Sequence, residues 1–221
     1  MYPDSRSNPI IIEGSRSTPA LLSQVLVITS VGFFVSALGV YFAPDAPIPG
    51  LTLISFIVTI GLIFAIRAAR KNSALAFSLF LLLALAMGFE ISPWINHLLH
   101  NGQTDVVFNA ALTTAVGMGA LGIVAQLFHF NYRRVASYAY GALLLLILVG
   151  ILSMFFHFVS PTIYSYATLA IFSVLLVVDF MRIRNGGDGA TPVELAVSIY
   201  LDGINIFLAL TQIFSGGSRR N

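Results

Sequence analysis

Long apolar runs separated by short polar breaks make up nearly the whole chain, and the pattern is regular enough to count. A run of about 20 apolar residues crosses a hydrocarbon core as a helix. Seven such runs can be marked, at 20–43, 50–67, 73–97, 106–130, 136–157, 162–183 and 193–214. The breaks hold the turn formers: APDAPIPG, RAARKN, HNGQTD, NYRR, HFVSPT and RIRNGGDGATP. None of them has room for a soluble domain. The pattern predicts an all-α integral membrane protein whose single domain, 20–214, is a seven-transmembrane-helix bundle. A polar cytoplasmic tail at 1–19, docked through the Ile10–Ile12 run, and a short tail at 215–221 flank it. The first run begins too late and lasts too long for a signal peptide, so it counts as a span.

Inside the seventh run the pattern breaks in a way that needs chemistry. Asp202, in IYLDGINIF, is the tenth residue of an otherwise apolar segment that starts at Val193. A lone carboxylate at that depth costs several kcal/mol, roughly. Glu194, Ser198, Asp202 and Asn205 are spaced four, four and three apart, which puts them on one helical face, and Gln212 prolongs the stripe. Such a stripe must face protein or water, so the last helix is expected at the centre of the bundle.

A second carboxylate, Asp179 in VVDFMRIR, precedes the end of the sixth run. At 1.5 Å per residue, Asp179 is about 8 Å deep and Asp202 about 15 Å deep. The short connector makes the two helices antiparallel neighbours, so tilt and side-chain reach can bring the carboxyls together. Two carboxylates in one low-dielectric site cannot both stay ionised, and they titrate as a unit around a shared proton. A nearby cation can take the proton's place. Arg67 and Arg70, at the end of the second run, are candidate counter-charges. The structural alternative is that both aspartates cap or bond locally and serve assembly alone.

Composition narrows the classes. Hydrophobic residues make up 57% and charged residues 9%, against about 25% charged in soluble domains. A formal charge of +2, with no basic run among aromatics, offers nucleic acid no surface. Cysteine is absent, which removes disulfides, thiol nucleophiles and thiolate metal sites. No HExxH, phosphate-binding loop or GxSxG is present, and NGGDG at 185–189 reads as a turn, so no enzyme and no resident cofactor is expected.

Basic residues set the orientation. Arg6 and Arg16 are in the tail, Arg67, Arg70 and Lys71 in the second connector, Arg133 and Arg134 in the fourth, Arg182 and Arg184 in the sixth. With seven spans these all fall on one side, which the positive-inside rule makes cytoplasmic together with the N-terminus. Small residues Ala115, Gly117, Gly119, Ala120 and Gly122 suit close helix packing in the fourth span. Trp94 suits an interfacial belt, and so do His97 and His100. Glu90 lies in the outer half of the third span, and Glu194 is a first-turn acid favoured by the helix dipole.

An aspartate ending the sixth span, a short polar loop and then SIYLDGINIFLAL together resemble the transmembrane Bax inhibitor motif family. MGFEISPWI resembles that family's Pro-containing end of the third span. The resemblance covers most of the chain, and the YLDxINxF piece is its most specific part. It implies a seven-helix fold with the last helix wrapped by the other six. For YetJ-like bacterial members it implies a pH-sensitive calcium leak in an inner membrane, with Asp179 and Asp202 as sensor and Arg70 as latch, Arg67 beside it. Val178 replaces the family's tyrosine, and Thr59 and Gln212 stand where an outer glutamate–arginine pair is usual. The RNGGDGATPVEL loop also looks like the YccA branch, which implies the alternative function: a regulator that binds and modulates a membrane-bound AAA protease. Expected partners are therefore the bilayer, calcium and protons, or that protease.

Overall fold

Each of the seven apolar runs forms one helix in the computed structural model, which describes residues 18–43, 51–157 and 159–218. The helices are α1 (Thr18–Phe42), α2 (Leu51–Ala68), α3 (Ser73–His100), α4 (Thr104–Leu127), α5 (Tyr132–Phe156), α6 (Pro161–Arg184) and α7 (Pro192–Ser218). Six are long and apolar enough to span a bilayer, and α2 contributes a shorter apolar helix over 54–68. The tail carrying Ile10–Ile12, Arg6 and Arg16, most of the first connector and the last three residues lie outside the described residues. At the C-terminal end, α7 continues past the expected boundary at 214.

Boundaries follow local chemistry. Asn72 caps α3 by accepting from the Leu75 amide at 3.1 Å, and Asn131 caps α5 through the Arg134 amide at 3.2 Å. Ser160 caps α6, with Pro161 at the first turn where its missing N–H costs nothing. Thr191 and Glu194 form a reciprocal capping box at the start of α7: the Thr191 amide donates to Glu194 Oε2 at 2.7 Å, and the Glu194 amide to Thr191 Oγ1 at 3.2 Å. Glu194 therefore caps the start of α7 rather than lining a shared polar path.

The last helix occupies the centre, as its polar stripe predicts. It packs against α1, α2, α3, α4 and α6, while α5 stands outside against α6. Of the apolar window of α7, 67% is buried within the protein, against 11% for α5. On α5 the outward Leu144, Leu145 and Phe155 are exposed, the surface a helix shows to acyl chains. Two apolar clusters flank α7. One joins Phe172, Leu176 and Met181 to Leu195 and Ile199; the other joins Phe80, Leu83 and Ile66 to Tyr200 and Ile204. Each buried large side chain contributes roughly 1.5–3 kcal/mol where it leaves water. In lipid, close packing is the larger factor.

Candidate functional site

The connector between α6 and α7 decides how the two aspartates meet. Residues 186–189 all take positive φ, at 86°, 79°, 52° and 72°. Three of the four are glycines, and the fourth, Asp188, is of the type that tolerates the left-handed region best after glycine and asparagine. This tight turn folds Gly187 back beside Leu195: a Cβ at Gly187 would lie 3.0 Å from the Leu195 side chain. Asp202 is seven residues beyond Leu195 and Asp179 eight before Gly187. Counted from that contact rather than from the helix ends, the two aspartates thus lie nearly the same number of residues along their helices.

Asp179 and Asp202 are 4% and 5% exposed, and their carboxyl groups are within hydrogen-bonding reach of each other. The second Asp202 oxygen, Oδ2, is buried and has no hydrogen-bond partner among the described residues. An orphaned oxygen beside a second carboxyl is an arrangement that accepts a proton or a cation. The other stripe residues do not join it. Asn205 donates back to the Leu201 carbonyl at 2.8 Å, Ser198 is half-buried, and Gln212 is near Ser165 at the far end of the bundle. Among the described residues no group of three or more acidic or histidine side chains forms a metal cluster.

Neither expected latch arginine pairs with a carboxylate of the site. Because α2 stops at Ala68, Arg70 is carried on the connector, exposed, and donates to the Gly189 carbonyl at 3.0 Å. Arg67 is exposed and reaches the site's surroundings only as a charge acting on Tyr140. The cation that acts on Asp179 is Arg182, one helical turn further along α6. Arg182 Nε is 3.8 Å from Asp188 Oδ2, which also accepts from the Tyr132 hydroxyl at 2.9 Å. Arg133 Nη2 donates to Asp188 Oδ1 at 2.6 Å. That guanidinium holds the Asp188 carboxyl below the usual carboxylate range, with Tyr132 adding to the effect.

A cavity of about 370 Å³ lies between α5 and α6 beneath this cluster, and its lining runs from Arg133 and Asp188 past Ser137 and Tyr140 to Asp179. Sequence reading passed over Asp188, Arg182 and Tyr140. The first looked like a turn residue and the second like a topology charge. The only available signal was the arginine one turn after Asp179.

The opposite end is built differently. Trp94, expected in an interfacial belt, is half-buried and donates from Nε1 to Thr211 Oγ1 at 3.0 Å, tying α3 to α7. Thr59 donates to Glu90 Oε2 at 3.4 Å, while Gln212, at the other position of the outer pair the resemblance implies, accepts from Ser165 instead. His97 stacks on Trp94 and both His97 and His100 are exposed.

Comparison with known proteins agrees with this architecture. The profile of a family described as inhibitor of apoptosis-promoting Bax1 matches residues 18–220. An uncharacterised membrane protein of Streptococcus pyogenes serotype M3 is 32% identical over 168 residues, covering 72% of this chain and 71% of its own. Another, from serotype M1, is 31% identical over the same shares.

Proposed function

The chain belongs to the Bax inhibitor family of membrane proteins, and from that premise we propose that it is a pH-sensitive cation leak gated by the Asp179–Asp202 pair, with calcium as the transported ion. The observation that carries this reading is a buried carboxyl pair with an unpartnered oxygen, Asp202 Oδ2, in the centre of a membrane bundle. Removing the shared proton leaves two carboxylates that repel, which favours rearrangement or a bound cation; restoring it closes the pair again. Two carboxylates supply few of the six to eight oxygens calcium takes, roughly, so the ion keeps most of its water and passes rather than stays. Arg70 acts on the pair through the connector it holds at Gly189, and Arg182 is the nearer counter-charge. The basic connectors face the cytoplasm, in a bacterial membrane, with the N-terminus on that side.

Calcium flux into proteoliposomes, measured across about pH 5–9 for the wild type and Asp202→Asn, tests this. The expected result is a pH-dependent flux that the variant loses. An unchanged pH response in Asp202→Asn overturns the sensor. Flux absent from both, together with co-purification of a membrane AAA protease that depends on residues 1–19, supports the regulatory reading instead.

A further inference from the structure

We infer that the cavity between α5 and α6 is the route by which protons from the basic end reach the carboxyl pair, and that Asp188 is its cap. The inference rests on the reading of Asp179 and Asp202 as sensor; what it adds is the path and the residue that controls it.

A buried pair that titrates needs a way for protons to arrive. Most of the surroundings of Asp179 and Asp202 deny one. The apolar side chains of Leu175, Val178 and Met181 are buried beside Asp179, and Asp202 is shut in by the central position of α7. A Cβ at Gly203 would meet the Met118 sulfur at 2.9 Å, so that side is filled too. The cavity offers an approach among the described residues. It exposes one edge of Asp179, it holds hydroxyls at Ser137, Tyr140 and Tyr132, and it ends at the surface where Asp188 is tied. The lining is largely apolar, and its hydroxyls, at Tyr132, Ser137 and Tyr140, are the groups that can order the water that carries protons.

Titratable and charged groups enter this cleft from several elements. Tyr140 projects from α5, Arg182 from α6 and Asp188 from the connector, while Arg67 of α2 acts on Tyr140. Arg182 lies between two acids, Asp179 inside and Asp188 outside. While Asp188 holds Arg133 and draws on Arg182, the mouth is bridged from α5 to α6. Freed from Asp188, Arg182 has one acidic neighbour left, Asp179. The cap itself does not titrate in the working range, because Arg133 keeps Asp188 ionised below the usual carboxylate range. Its role is steric and electrostatic, and the sensing belongs to the pair behind it.

The test reads access to Asp179 directly, without flux. The chain has no cysteine, so Ser137→Cys gives a single thiol in the cleft, and Leu148→Cys gives a control on the exposed face of α5. The full-length protein is reacted with a water-soluble carbodiimide and an amine, and the modification of Asp179 is followed by peptide mass spectrometry. Blocking Ser137→Cys with a bulky maleimide should slow that modification about fivefold or more, and blocking Leu148→Cys should not. Asp188→Asn keeps the left-handed geometry and removes the charge; it should speed modification about fivefold, the scale of one exposed ion pair.

Equal rates with the cleft open and blocked overturn the route. A slowed rate in blocked Ser137→Cys with no change in Asp188→Asn overturns the cap and leaves the route standing. Failure of the sensor reading appears elsewhere, as a flux whose pH dependence survives Asp202→Asn.

Discussion

The two ends of this bundle are closed by different physics. At the basic end the connectors are tied by charge: Arg133 and Arg182 to Asp188, Arg70 to the Gly189 carbonyl, and Arg184 to the carbonyls of Ala125, Gln126 and Phe128 at the end of α4. Towards the other end, α1 and α3 approach backbone to backbone. A Cβ at Gly39 would lie 2.7 Å from the Leu85 carbonyl oxygen and 2.9 Å from the Gly88 Cα. Nearby, Ser36 Oγ donates to the Ala84 carbonyl at 2.9 Å and shares a 2.6 Å hydrogen bond with the buried Tyr200 hydroxyl. Contacts made by charge respond to protons and salt, whereas contacts made by shape do not. One end is therefore held by charge and the other by shape.

The sharpest way to break this contrast is to remove charge from each end in turn. Asp179→Asn or Asp202→Asn should reduce a flux change of about tenfold per pH unit, the most that one shared proton supplies, to nearly none. The double variant should flatten it no further, because the two carboxyls act as one group. Glu90→Gln at the opposite end should leave the midpoint of the pH response where it is. A shift of that midpoint in Glu90→Gln would mean that the ends are coupled electrostatically, and the contrast would fail.

Next in size is the shape-closed half. Gly88→Ala forces a methyl against the backbone of α1, where nothing flexible can yield. Overpacking of this kind costs about 1–3 kcal/mol, and thermal unfolding in detergent should register it equally at low and high salt. At the basic end, Thr191→Ala should cost about 1 kcal/mol by removing the cap of α7. It leaves Asp202 in place, so the same flux assay should show an unshifted pH response.

How far this arrangement could be read from residues alone differs between backbone and site. The helices were legible because a span has one dominant requirement, a length of apolar sequence, and its ends are marked by Asn72, Asn131, Ser160 and Thr191. The centrality of α7 was legible for a related reason: a polar face cannot be left in lipid. The pairing of Asp179 with Asp202 was a matter of registry, and registry was set by a four-residue left-handed turn that no apolar pattern encodes. The partner of Arg70 and the role of Asp188 escaped for the same cause. Counting along a helix assigns depth, but it cannot say that a connector curls back to offer Gly189 to one arginine and Asp188 to two others.

The smallest expected effect tests the charge-tied end at the level of the connector itself. Asp188 has its carboxyl held below the ordinary range by Arg133. Its contribution is therefore present in full above that range and is lost only as pH falls through the lowered value. Across about pH 5–9 the tie is constant, and salt rather than acid should loosen it. Raising ionic strength from about 0.1 to 1 M shortens the screening length from about 10 to 3 Å, and both partners of the pair are open to solvent. Amide hydrogen exchange over 186–190 should then quicken modestly, while exchange at the uncharged 101–103 connector stays as it was. If both connectors quicken together, salt is loosening the whole bundle, and the division between a charge-held end and a shape-held end does not describe this molecule.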